Sequence, residues 1–286
     1  MIEEAAHRHP ISHCAAEVHE HDPERYLATL FAPPAAREPL FALYAFDHEI
    51  ARVRDVVSEP MAGMIRFQWW REALEAVEAG RPLAHPVVTA LLAHWTFLRP
   101  LRPHLDDAID ARELELTSDP PADLAALEER LDAGGAAITC AAIDLLGASG
   151  DETHAAARHL GLAFGLIRLV RGLPGDLRHN RLALPTAMLR RHAIEPAVAA
   201  QAADRGILAP VVADLMARAR RHLAEARRHR GRVARSALPV LLCVPLLDEY
   251  LDRLARARHD PLAIARRRPA PWAPLELVVR YALGRY

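Results

Sequence analysis

"YAFDHEIARVRDVV", Tyr44 to Val57, reads as one long amphipathic helix: its apolar residues recur at helical spacing, with acids and arginines between them. The same spacing continues in segment after segment from Asp22 onward, and no stretch alternates with the period of a strand. Breakers divide the pattern. "APPAAREP" (32–39) ends a first short helix, "SEP" (58–60) caps the next, and "AGRPLAHP" (79–86) closes a Trp-rich one. "SDPPADL" (118–124) opens another, "GASGDET" (147–153) separates two more, and a basic helix is expected from about Val211 to Val233. No internal repeat or Gly/Ser linker splits the chain. These signals predict an all-α, single-domain helical bundle over residues 22–286, preceded by a flexible, His-rich arm over residues 1–21.

With 286 residues, 51% of them hydrophobic and only 13 Gly, the chain is long enough to bury a substantial core and is biased towards helix. All 36 basic residues are Arg, a permanently charged, fork-shaped donor suited to phosphate. A net charge of -1 argues against a nucleic-acid partner. The three Cys, at 14, 140 and 243, form no CxxC, so a reducing cytoplasm is expected, with Cys140 and Cys243 as inert core thiols. The N-terminus lacks the apolar core of a signal peptide, and no run reaches the ~20 apolar residues of a bilayer span, which implies a cytoplasmic protein, peripheral at most. Two segments, Gly134–Gly147 and Ala156–Gly172, are so apolar that they belong at the centre. Their small residues Ala136, Ala137, Ala163 and Gly165 permit close helix approach or leave room for a ligand.

The segments "RYLATLFAPPAAREPLFALYAFDHEIARVRDVVSEP" (25–60), "IRFQWWREALEA" (65–76), "GLAFGLIRLVRGLPGDLRHNRLALP" (161–185) and "LLDEYLDRL" (246–254) resemble, in order and spacing, the squalene/phytoene synthase family. The resemblance implies an all-α isoprenoid synthase fold with a central cavity, in which two prenyl diphosphates are joined head to head. It also implies Mg²⁺, held by Asp pairs one turn apart on two facing helices, to neutralise the departing pyrophosphate. The matching positions here are Ala51, Arg52 and Asp55 in the first place, and Gly172 and Asp176 in the second. Each cage has lost its leading acid, and Arg52 puts a positive charge where a negative one is expected. Asp47 lies on the same face as Asp55 but about 12 Å away along a helix, too far to share an ion.

What remains of a site is Asp55 and Asp176 as metal ligands, Tyr44 beside them, and Arg66, Arg71, Arg168, Arg171, Arg178 and Arg181 as diphosphate partners. Arg168 and Arg171 interrupt an apolar helix. Either they form internal ion pairs with Asp55 or Asp176, or they keep an anion site for a diphosphate or phospholipid head group. Tyr44, Phe46, Trp69 and Trp70 are either the wall of a lipid pocket or core. "DDAID" (106–110) spells an aspartate-rich motif, but after "RPLRPHL" it reads as the first turn of a new helix. His7, His9, His13, Cys14, His19 and His21 read as a solvated tail, or as ligands for Zn²⁺, Ni²⁺ or copper. The basic stretch 218–235 reads as a solvated face or as a patch against a membrane or acidic partner.

The sequence is similar in particular to the branch containing a mitochondrial complex I assembly factor with this fold. That resemblance implies a catalytically silent assembly factor, peripheral at the inner membrane and partnered by a membrane protein complex. The alternatives are an active Mg²⁺-dependent synthase, or a protein that holds an isoprenoid or lipid diphosphate without turning it over.

Overall fold

A computed structural model describes residues 11–57, 59–117, 119–179, 181–195, 205–264 and 268–286, and among these there is no strand. The first elements are α1 (His13–His21), α2 (Pro23–Thr29), α3 (Pro34–Val56), α4 (Pro60–Glu78), α5 (Pro86–Ala93) and α6 (Trp95–Leu98). The middle of the chain forms α7 (Arg102–Thr117), α8 (Leu124–Leu131), α9 (Ala137–Leu145), α10 (Asp151–Arg178) and α11 (Thr186–Arg191). The remainder is α12 (Ala209–Arg228), α13 (Leu238–Leu241), α14 (Cys243–Arg256), α15 (Pro261–Ile264) and α16 (Ala273–Ala282).

Local chemistry explains the starts. Pro23, Pro34, Pro60 and Pro86 each open a helix, where a missing N–H costs nothing and φ is preset. Asp22 ends α1 and caps α2 by accepting a bond from the Arg25 amide at 3.1 Å. α10 begins after Gly150, at φ 105°, and places Asp151 and Glu152 at its positive end.

α10 is the axis of the fold. Its 28 residues make it about 42 Å long. It packs against α12, α9 and the π-helical turn Asp132–Ala136 that joins α8 to α9. Leu160, Ala163, Ile167, Val170 and Leu173 are fully buried along it. The helix expected over 44–57 is the C-terminal part of α3, which stops at Val56, and it turns Phe46, Ile50 and Val53 into the same core. Close approach is literal at two of the small residues: a Cβ on Gly161 would lie 2.5 Å from the Ala136 Cα, and one on Gly165 would lie 2.8 Å from the Leu131 side chain. Phe46 and Trp70 belong to the core, their rings edge to face at 5.4 Å, whereas Trp69 is partly exposed.

Three expectations need correction. The arm is not flexible throughout: residues 13–21 form α1, which buries Cys14, Ala15 and Val18 against α3, so the folded part starts before residue 22. His7 and His9 lie outside the described residues. The "DDAID" run occupies the second turn of α7 rather than its first, because the helix starts at Arg102. Its acids serve as ion-pair partners there: Asp106 of Arg102 at 2.9 Å, and Asp110 of Arg71 at 2.5 Å. The basic helix ends at Arg228, near Gly231, and a 3₁₀ turn follows. The stretch is a largely solvated face whose cations pair along the surface, with Arg220 on Asp252 and Arg232 on Glu152, both at 2.7 Å, and the less exposed Arg218 on Glu128. Burial pushes the Cys14 thiol up to about 12 and the Cys140 thiol up to about 11, and both are inert at neutral pH.

Two glycines of α10 should respond oppositely to alanine. Gly161→Ala gains helix propensity but forces α10 off the π-helical turn, and should cost about 1–3 kcal/mol. Gly172 has no atom within 4 Å of its would-be Cβ, so Gly172→Ala should stabilise by about 0.4–1 kcal/mol. Urea denaturation of both variants would check the pair of signs.

Candidate functional site

α1, α2, α3, α7, α8 and α10 enclose a cavity of about 570 Å³, within the usual range for a small-molecule site. Of the residues expected in a site, Tyr44, Asp55, Arg168, Arg171, Asp176 and Arg181 line it, together with Ala51, Arg52 and Gly172. Arg66, Arg71 and Arg178 are not among the lining residues. Arg66 and Arg178 are exposed, and Arg71 is held by Asp110 and Glu113, both at 2.5 Å.

Asp47 is a deeply buried charge, only 1% exposed. Its Oδ2 accepts from the Arg25 Nη1 at 2.7 Å and from the Arg168 Nη1 at 2.9 Å, and the Arg112 Nη2 stands 3.8 Å from its Oδ1. Burial alone would raise the Asp47 carboxyl, but Arg168, Arg25 and Arg112 hold it well below the usual carboxylate range. Two arginines of this cluster have further support. Arg25 also faces Asp22 at 3.5 Å and lies over the Tyr44 and Phe164 rings, 4.7 Å from each centroid. Arg112 donates to Glu115 at 2.8 Å. One turn along α10, Arg171 donates to the buried Glu24 at 2.5 Å and stacks 4.0 Å over Tyr250.

Arg168 and Arg171 are therefore internal ion-pair partners, but their acids are Asp47 and Glu24 rather than Asp55 or Asp176. Sequence reasoning missed Arg25, Glu24, Arg112 and the role of Asp47. The available signal was the pattern itself: charged residues on the apolar faces of α2, α3 and α10 have to answer one another.

The second acid of the expected pairs is differently placed. Asp176 faces Arg54 at 3.4 Å, and Arg181 donates to the Arg54 carbonyl at 2.6 Å. Burial raises the Asp176 carboxyl above its ordinary value, only partly offset by Arg54. Asp55 is exposed at the same wall, and Arg52 is turned to Glu49 at 3.1 Å.

This donor set does not fit a magnesium cage. Mg²⁺ demands near-octahedral oxygen at about 2.0–2.1 Å, and paired carboxylates one turn apart supply it. Here Ala51 and Gly172 offer no oxygen, and an arginine already engages Asp176. The cavity can admit an uncharged or weakly anionic guest between Tyr44, Phe164 and Leu169. It lacks the paired acids that would draw metal ions onto a leaving group.

Asp47→Asn should be costly, because it leaves the buried Arg25 and the half-buried Arg112 and Arg168 short of a charge: about 3–5 kcal/mol by urea denaturation. Asp55→Asn, at an exposed position, should stay within about 0.5 kcal/mol. Since the folded Asp47 carboxyl is depressed, its contribution is complete above the unfolded value of about 3.9 and is lost as pH falls towards the lower folded value. The gap between wild type and Asp47→Asn should therefore narrow in acid and stay constant from pH 5 to 8.

The squalene/phytoene synthase family model matches residues 18–276. The complex I assembly factor 6 of Bos taurus is 27% identical over 278 residues, covering 96% of this chain and 82% of that one. The presqualene diphosphate synthase of Sinorhizobium fredii is 25% identical over 245 residues, covering 84% of this chain and 87% of that one. The crystal structure of a dehydrosqualene synthase superposes with a TM-score of 0.76 at 15% identity and covers 94% of both chains. With the all-α architecture, the central cavity and a match over most of its length, this chain belongs to the squalene/phytoene synthase family.

Proposed function

We propose that this protein is a catalytically silent member of its family that serves the assembly of a membrane-bound respiratory complex. The observation that carries this reading is the state of the metal acids. Ala51 and Gly172 stand where two ligands are needed, and Arg54 occupies the one buried acid that remains. Losing an acid from both cages removes the charge that would stabilise a departing diphosphate, and such losses cost orders of magnitude in rate. The 27% identity to a complex I assembly factor over nearly the whole chain supports the same reading.

Attachment to a membrane complex would be peripheral, because no helix among the described residues is long and apolar enough to cross a bilayer. The outer face of α16 supports such docking: Trp272, Leu275, Val278, Val279 and Leu283 are all more than half exposed.

A second reading, retention of an isoprenoid or lipid diphosphate without turnover, is favoured by the persistence of the cavity and by the likeness to presqualene diphosphate synthases. In it, Arg168, Arg171 and Arg181 face the phosphates, with Asp55, Asp176 and Tyr44 as the residue of the old site.

Offering the protein farnesyl and geranylgeranyl diphosphate with Mg²⁺ should give no pyrophosphate release; turnover would refute silence. Binding without release would select the second reading over the first. In the same assay, Ala51→Asp with Arg52→Asp and Gly172→Asp should raise Mg²⁺-dependent diphosphate binding, since position 172 has open space for a carboxylate. In the host cell, removal of the protein should lower NADH–quinone reductase activity of the membranes and leave isoprenoid products unchanged.

A further inference from the structure

The wall of the cavity made by α1 and α3 carries a second constellation that the ion-pair lattice does not use. Glu17 and His21 lie four residues apart on α1, hence on one face one turn apart, and His48 meets them from α3. One ligating atom from each of the three lies within 4.8 Å of the others. The His21 Nε2 stands 3.6 Å from Glu17, and the two imidazole rings stack with centroids 4.2 Å apart at an angle of 11°. α1 is anchored here by Cys14, Ala15 and Val18, so the grouping follows from packing rather than from a loose tail.

We propose that Glu17, His21 and His48 form a three-ligand site for a Zn²⁺-class cation at the rim of the cavity. Its fourth coordination position is open to the cavity, since His21 and His48 are themselves lining residues. Two imidazoles and one carboxylate suit Zn²⁺ and the late first-row divalent metals, not Mg²⁺. At Zn–N bonds of about 2.0–2.1 Å, tetrahedral ligand atoms sit about 3.3 Å apart, so the three groups have to close by roughly 1.5 Å or less. The stacked rings must tilt towards each other to aim both lone pairs at one point. The exposed side of α1 leaves room for that movement: the His21 side chain is 43% exposed and that of Glu17 28%.

The surrounding charges permit a cation. Glu17 on α1 and Glu49 on α3 are negative. Arg52 on α3 is paired with Glu49, and Arg168 on α10 is paired with Asp47. Of the described histidines near the N-terminus, His13, His19 and His21, only His21 takes part. The site is separate from positions 51, 55, 172 and 176, and it holds whether or not the protein assists an assembly.

The test is a Zn²⁺ titration of the metal-free full chain against a chromophoric chelator, with melting curves recorded with and without metal. Wild type should bind one tight equivalent and melt at a higher temperature with Zn²⁺. His48→Gln should lose at least ~10-fold in affinity and lose the thermal shift. Glu17→Gln, altered on the exposed side of α1, should show the same loss, and it decides the question if His48→Gln does not fold. A double His7→Gln, His9→Gln variant should bind as wild type does. Equal affinity in the Glu17 and His48 variants, or loss in the double variant alone, would overturn the assignment.

Discussion

Four arginines on the inner faces of a helical bundle set the terms for the rest of this structure. A guanidinium keeps its charge at any accessible pH, so burying one requires an anionic partner on a neighbouring element. Arg25, Arg112, Arg168 and Arg171 find Asp22, Asp47, Glu115 and Glu24. Asp47 alone joins α2, α3, α7 and α10 through three of those arginines. The lattice fixes how these helices meet around the cavity. It also engages Arg168 and Arg171, two of the cations that a diphosphate would otherwise have met.

That balance separates fold from chemistry in this family member. The shared architecture needs helices that pack around α10, and Gly161 and Gly165 keep the π-helical turn close to it. Catalysis would need an excess of carboxylate on one wall and of free cation on the other. Here the walls are nearly neutral from within, and the acids at 55 and 176 lie among arginines. An assembly role asks only for surfaces and a stable body, and such a protein can keep the cavity without its metal ions.

Much of this was legible in the residues. Helical periodicity and the prolines at helix starts gave the all-α bundle, and the order of the motifs brought Tyr44, Asp55, Arg168, Arg171, Asp176 and Arg181 to one cavity. Arg66, Arg71 and Arg178 misled because proximity to a motif in sequence says nothing about which side of a helix looks inward. The hub at Asp47 was hidden for a different reason. Its partners lie 22, 65 and 121 residues away, so the pattern within one helix marks a charge that must be answered but not the residue that answers it. The polar composition of residues 13–21 likewise concealed α1, whose buried residues, Cys14, Ala15 and Val18, are only three.

The central claim is that the cavity cannot gather divalent ions around a leaving diphosphate. Anomalous diffraction from crystals soaked with Mn²⁺ and a non-reactive thiodiphosphate analogue measures this directly. The structure predicts no manganese between Asp55 and Asp176, with Arg54 still engaged to Asp176. Two or more manganese ions bridging those acids to the diphosphate would contradict it.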